Sequence, residues 1–528
     1  MTTITKQSYD VIIVGAGPCG VTAANMLGQS GVSTLVIDKE AGIVTIPRAV
    51  GICEGGSRII DSIGVLDDPE MEFRQINSVH FRNKKQDSVF HADLYAPENG
   101  HRLLRTFHQP DLEKSIRRSL NAYDCVELAT STKMLEFKDH GHSVEVKVKQ
   151  DETTLNISGR YLLACDGASS PIRKKLDIGF TGGTYPQEWM ILDVEKNPQS
   201  SSEVIFCIDP ERPSVTLPGP GNKRRWEFVV KKDDDPEKLF ERDNLAKLLG
   251  DWGNVEDMEI SRKAVYTFHA RTAEKYQLGN VFLLGDSAHI TPPFAGQGMM
   301  AGLRDAHNLC WKISAVLKKE LSPRVLETYQ VERIPQSRQV IKFAQYMGDI
   351  ILPQNPTVAK VRDGVIKILG VMGLHSDTKG VPIDKIPNHI NGGYIKHMLI
   401  GKLFKTGFEL PQYLLKKNDQ SILADKLLGD SFYLLGWNVN PEKYLEQETL
   451  QRWKSMAGKN ATFASKLNGN KNLNDMLLVN EGEEYKRVFK AGKRVLVIRP
   501  DKMMVVNCSL KSLNRKLNKY MDQIGCIQ

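Results

Sequence analysis

Three carboxylates stand where apolar runs end. Asp38 closes the run 33–37, Asp166 closes 161–165, and Gly285-Asp286 closes 281–284. Each run reads as a buried strand of a parallel sheet, and open α/β sheets bind ligands outside the carboxyl ends of such strands. An ionised acid at that place accepts hydrogen bonds from sugar hydroxyls. The chemistry suggested is nucleotide binding, with a stiff backbone at Pro292-Pro293 beside the third acid.

Spacing also gives the elements that must position these acids. A strand at 10–14 leads into Gly15, Gly17, Pro18 and Gly20, a GxGxxG arrangement, and then into a small-residue helix at 21–29. The first glycine permits the tight turn, the second lets the backbone approach a pyrophosphate, and the third lets the helix pack on the sheet. The helix N-terminus turns free N–H groups and a positive dipole end toward the phosphates. Asp38 falls at the spacing of an acid that takes ribose hydroxyls, with Lys39 beside it in the same cofactor-binding set.

The two later acids are each followed by a turn into a helix. Ser169, Ser170 and Pro171 begin one that carries Arg173, and Gly296-Gln297-Gly298 begins another, from about 299 to 317. The second helix end favours negative charge in the same crevice. A reduced flavin carries such charge on N1 and its C2 carbonyl, whereas a nicotinamide is cationic or neutral. FAD is therefore the expected resident cofactor. Asp286 would accept a ribityl hydroxyl, and Pro293, Gly296, Gly298 and Met299 would line the ring.

A chain of 528 residues is too long for one core, so several domains are expected. The net charge of +8 is dispersed, with no basic arm or aromatic-interleaved basic stripe, so no nucleic-acid partner is expected. Eight scattered cysteines form no CxxC and no metal-ligand spacing, so no metal site is expected either. The first residues run straight into a strand, and no 18-residue apolar run exists. A cytoplasmic protein without a membrane span is the expectation.

Together, GAGPCG at 15–20, CDG at 165–167 and GDSAH at 285–289 resemble the three signatures of the single-component FAD-dependent aromatic hydroxylases, the para-hydroxybenzoate hydroxylase superfamily. The stretches PRAVGI (47–52), RRWEFVV (224–230), YTFHAR (266–271), PPFAGQGMMAGLRDAHNLCWK (292–312), YQVERIPQ (329–336) and LLGDSFYLLGW (427–437) are similar to its 3-(3-hydroxyphenyl)propionate hydroxylase and phenol hydroxylase-like branch. The resemblance implies an NAD(P)H- and O₂-dependent monooxygenase. Transiently bound NADPH or NADH reduces the FAD, and a C4a-hydroperoxide then hydroxylates a small aromatic, phenolic substrate. It places Arg48 near the FAD phosphates and ribityl chain, Gln109 at the ribityl or flavin region, and Asp166 with Arg173 in a motif serving both FAD and the nicotinamide donor. After PRAVGI this chain departs from the branch, with Cys53-Glu54-Gly55-Gly56 where an acidic pair is expected.

The fold class implied is α/β and α+β. It comprises a Rossmann-like FAD-binding domain, an inserted β-sheet substrate domain, and a C-terminal thioredoxin-like domain lacking CxxC. The expected boundaries are 1–184 and 271–352 for the FAD-binding domain, including a long helix from 323. The substrate domain is expected at 185–270, a connecting region at 353–423, and the C-terminal domain at 424–528. Arg225 and His269 are the candidates for holding an acidic substrate or its phenolate. Alternation puts Arg225 and Glu227 on one strand face, Trp226 and Phe228 on the other. His289 reads as structural packing. The helical stripe at 358–373 is expected to face a core or a homodimer partner, ahead of a membrane surface. Two alternatives remain at this point: a tailoring monooxygenase acting on a polycyclic natural product by hydroxylation, epoxidation or Baeyer–Villiger insertion, and a non-catalytic nucleotide-binding protein.

Overall fold

The computed structural model describes residues 4–94, 101–197, 201–369, 406–412, 414–417, 420–464, 476–479 and 494–526. Its first sheet has a parallel core in the order Val126–Ala129, Thr34–Ile37, Ser8–Val14, Thr153–Ala164, Val281–Leu283. Val11, Ile12, Ile13, Leu162 and Phe282 are wholly buried, as expected of strands covered on both faces. The register is the feature that matters for function. Ile37, Val14, Ala164 and Leu283 are direct neighbours across four strands, so Asp38, Gly15, Cys165-Asp166 and Leu284-Gly285-Asp286 emerge along one edge.

Two helices close over that edge. Pro18–Gln29 packs against Gly298–Leu317, and each sits close on a glycine turn at a strand end. A Cβ on Gly20 would overlap the Gly15 carbonyl oxygen, and one on Gly302 would come within 3.1 Å of the Gly285 Cα. The long helix is present as Arg324–Ile351, with Pro335 inside it.

The second sheet runs in the order Ser88–Asp93, Ser78–Arg82, Glu203–Cys207, Ser214–Pro218, Arg224–Val229, Phe180–Lys196, Glu259–Ala273, His289–Ile290. The 185–270 block therefore does not contain the whole sheet. Strands at 78–93 join it through a parallel pairing of Glu203–Cys207 with Ser78–Arg82. A pairing across so many residues leaves no local signal, which is why the sequence reading assigned those strands to the first domain.

The third sheet, near the C-terminus, is mixed. It starts with Leu414–Lys417, inside the stretch expected to be a connection, and ends on the expected hairpin Arg494–Ile498 with Met504–Ser509. Most of the expected connection, and residues 370–373 of the amphipathic stripe, lie outside the described residues. The remainder of that stripe is the helix Pro356–Leu369, which exposes Val358, Val361 and Val365. The C-terminal sheet does not stand apart, because Phe432, Trp453, Val495, Leu517 and Tyr520 belong to the same apolar core as Ile12 and Leu309. Among the described residues no helix is long and apolar enough to cross a membrane, and no acid, histidine or cysteine cluster could hold a metal ion.

Candidate active site

A cavity of about 520 Å³ lies between the carboxyl edge of the parallel sheet and the second sheet. Gly17, Pro18, Arg48, Asp286, Pro293, Gly296, Gly298 and Met299 line it from the first, and Trp189, Phe206, Glu227, Tyr266 and Phe268 from the second.

The nucleotide side is built around the glycine turn. Gly15 has φ +106°, a conformation that favours glycine, and nothing lies within 4 Å of the position where Gly17 would carry a Cβ. The helix Pro18–Gln29 begins with no side-chain cap and no acid in its first turn, so its leading N–H groups face the cleft without a competing anion. Asp38 clamps the turn: one oxygen accepts from the Ala16 N–H at 2.6 Å and the other from the Glu40 N–H at 2.9 Å. Lys39 is turned to solvent and pairs with Glu40 at 3.7 Å. Arg117, which the sequence reading did not single out, donates to the Ala16 carbonyl at 2.9 Å and brings a cation to this turn.

Asp286 is set by a buried ion cluster. Asp305 accepts from the Gly285 N–H at 2.9 Å, from His289 Nε2 at 2.7 Å and from Arg333 Nε at 2.7 Å. Burial pushes the Asp305 carboxyl up, but His289 and Arg333 outweigh it and hold it below the usual carboxylate range. His289 is thus structural, as read from the sequence. Asp286 itself projects into the cavity with no side-chain partner among the described residues. Its accessible surface is cavity surface, and the enclosing protein raises its pKa against the pull of His289 and Arg48.

Asp166 is not part of the cavity wall. One oxygen accepts from the Ile172 N–H at 3.1 Å and the other is buried without a hydrogen bond, so burial raises its pKa. Arg173 ties the two later acid motifs together, donating to the Ser287 and Ala168 carbonyls at 2.8 and 2.9 Å. Gln109 is placed beside the cleft, but its oxygen accepts from the Arg48 and Ala49 N–H groups, both at 2.7 Å, and its nitrogen donates to Glu113. Its polar groups hold the 48–49 loop rather than reaching for a ring. That loop carries the exposed Arg48 guanidinium in the cavity lining. An open glycine turn, an uncapped helix end, a free carboxylate and a free cation fit FAD.

On the substrate side the expected strand alternation holds, with a different result for Arg225. Arg225 and Glu227 do face the cavity, while Trp226 and Phe228 pack with Leu245 and Leu249 behind the sheet. The Arg225 guanidinium, however, is committed. It grips Asp193 through Nε and Nη2 at 2.6 and 2.9 Å and donates to the Arg48 and Pro47 carbonyls at 2.9 and 2.7 Å. Four of its five N–H groups are spent, so it is not available as a clamp for a substrate carboxylate. Arg262 is committed too, bonded to Asp193, the Pro47 carbonyl and Tyr266. His269 lies between Phe268 and Ala270, lines no part of the cavity, and shares a hydrogen bond with Thr184 at 2.9 Å. Its parity along Glu259–Ala273 is opposite to that of Tyr266 and Phe268, so it does not reach the ring site.

Comparison with known proteins places this geometry. The FAD binding domain model matches residues 8–344, and the HcaD C-terminal domain model matches residues 407–523. The 3-(3-hydroxy-phenyl)propionate/3-hydroxycinnamic acid hydroxylase of Escherichia coli O81 (strain ED1a) is 30% identical over 97% of this chain and 94% of its own length. Among solved structures, the flavin-dependent monooxygenase PieE, in complex with FAD and substrate, superposes with a TM-score of 0.81. It covers 98% of this chain and 99% of its own at 16% identity. Aklavinone-11 hydroxylase, in a ternary complex with FAD and aklavinone, superposes with a TM-score of 0.77, covering 98% and 100% at 19% identity.

Proposed function

The chain belongs to the FAD-dependent aromatic hydroxylases, and from that premise we propose that its substrate is a neutral, largely apolar phenol rather than a phenolic acid. One observation carries this reading: both arginines on the substrate wall already spend their N–H groups on the protein itself. Arg225 and Arg262 surround Asp193 and two backbone carbonyls, and a substrate carboxylate would have to compete with a bidentate buried ion pair. Leaving Asp193 unpaired costs several kcal/mol, of the order of 3–5. Apart from Glu227 and Tyr266, the remaining wall is apolar, with Trp189, Val204, Phe206, Phe268, Phe294 and Met347.

When bound, FAD supplies the oxygen chemistry, and NADPH or NADH supplies the electrons as a transient co-substrate. The chain's own residues then have defined tasks. The helix end at Pro18 and Arg48 hold the phosphates, and Asp286 takes a ribityl hydroxyl. The turn Gly296-Gln297-Gly298 approaches the ring, and the aromatic wall excludes water from the reacting face. A polycyclic substrate is the second reading. It is favoured by Phe343, Met347 and Ile351 of the long helix, which continue the cavity wall beyond what a single ring needs.

The test is substrate-stimulated oxidation of NADPH or NADH, with product analysis, using 2-naphthol and 3-(3-hydroxyphenyl)propionate. The expected result is a kcat/KM at least tenfold higher for 2-naphthol. A preference for the acid overturns the neutral-substrate reading.

A further inference from the structure

On the substrate side of the cavity, Glu227 lines the wall with no hydrogen bond to its carboxylate among the described residues. The strand Arg224–Val229 sits between Phe180–Lys196 and Ser214–Pro218, and Glu227 is in register with Ile191 on one side and Val215 on the other. Val215 is in turn opposite Phe206. All four line the cavity, so Glu227 is the one acid in a cross-strand row of apolar side chains. It is 9% exposed, and its surface is cavity surface. Its nearest charged contact is Arg225 Nη1 at 3.9 Å, beyond hydrogen-bond reach, since that guanidinium is turned to Asp193 and the 47–48 carbonyls. A buried carboxylate without donors is costly, and a fold retains one at a ligand site where the ligand brings the donor.

We propose that Glu227 accepts the hydrogen bond of the substrate's ring hydroxyl and takes its proton as oxygen is transferred to the ring. This rests on the neutral-phenol reading and deepens it. The step balances simply. The phenolic O–H bond breaks, the proton goes to a Glu227 carboxylate oxygen, and the electron pair left on oxygen is delocalised into the ring, raising its nucleophilicity at the ortho and para carbons. A neutral phenol ionises near pH ~10, so it needs an acceptor at neutral pH. Burial raises the Glu227 pKa, with Asp193 adding to the rise and Arg225 and Arg262 opposing it, which narrows the gap the proton must cross. The same placement bears on selectivity: a carboxylate set beside Glu227 would bring no donor to it, whereas a hydroxyl supplies the donor that Glu227 lacks.

The experiment uses the FAD-loaded protein and the variant Glu227→Gln, which keeps size and hydrogen bonding but cannot take a proton. Two probes are compared at about pH 8: 2-naphthol, still largely un-ionised there, and 4-nitrophenol, largely ionised there. The expected result is a kcat lower by about a hundredfold with 2-naphthol, and a change of less than threefold with 4-nitrophenol, which has no proton to surrender. Equal losses with both probes would mean a structural role and would overturn the proposal, as would unchanged turnover of 2-naphthol. If the wild-type protein accepts only 3-(3-hydroxyphenyl)propionate, the neutral-substrate reading fails by itself. Glu227→Gln is then assayed on that acid, where an unchanged kcat overturns the Glu227 assignment separately. A wild-type protein that couples NAD(P)H oxidation to none of these probes overturns both.

Discussion

At the scale of single residues, the structure separates side chains that face the cavity from those that are free within it. Arg225 faces it and is not free. Its role is to join the second sheet to the 47–48 loop through Asp193 and two carbonyls. Arg225→Ala should therefore lower stability by about 3–5 kcal/mol, since it breaks a buried pair, while changing KM by the same factor for a phenolic acid and a neutral phenol. Urea unfolding and parallel kinetics on the two substrate types check this; a selective loss with the acid would return Arg225 to the substrate site. Sequence reasoning found the strand and its alternation, because period-two patterning is local. It missed the commitment of the guanidinium, because Asp193 and Pro47 lie far away in the chain. Glu227 could have been noticed: an acid at the inward position between Arg225 and Val229 violates the pattern, and such violations mark function.

At the scale of elements, the strand ends, glycine turn and helix starts were legible because each has a chemical signature within a few residues. Gly15, Gly17 and Gly20 announce the turn, Asp38 its partner, and Gly296-Gln297-Gly298 the second helix start. The device that aims Asp286 was not legible. It needs Asp305 from the helix Gly298–Leu317 and Arg333 from Arg324–Ile351, two elements whose packing no short motif encodes. Asp305→Asn should leave Arg333 without its anion and loosen the 285–286 turn. The expected outcome is FAD retention on gel filtration reduced at least tenfold, with melting also lowered, since breaking a buried pair costs about 3–5 kcal/mol. Full flavin content in that variant would show that the turn holds its shape without the cluster.

At the scale of the whole molecule, the C-terminal sheet is tied to the FAD-binding domain by charge as well as by apolar packing. Glu332 on the long helix receives Arg499 at 2.7 and 3.1 Å and Lys312 at 2.8 Å, and Arg499 also grips Asp501. Burial opposes ionisation of Glu332, but Arg499 and Lys312 outweigh it and bring its pKa down to about 2. Lys312 goes the other way from a simple ion pair: burial, with Arg499 nearby, outweighs Glu332 and lowers it to about 8. The sign for Glu332 is clear. Between about pH 4.5 and 2 the unfolded chain binds a proton that the folded chain does not, so stability present above that window is lost as pH falls through it. Glu332→Gln should melt well below the wild type at pH 7 and show a flatter loss of stability on acidification. An unchanged melting temperature at pH 7 would remove the cluster from the account of stability. A missing CxxC points this region to a structural or oligomerising role, yet nothing in its local pattern points to Arg499.

That cluster also has a consequence for biosynthesis. Glu332 and Lys312 leave the ribosome long before Arg499, and at roughly 5–20 residues per second the interval is on the order of ten seconds. Throughout it the helices Gly298–Leu317 and Arg324–Ile351 carry a lysine and a glutamate destined for a dry interior without the arginine that completes their balance. The nascent FAD-binding domain must hold that seam open to water until the last strands arrive. A chain truncated before Arg499 would keep Glu332 and Lys312 but lose the cation that grips both Glu332 oxygens.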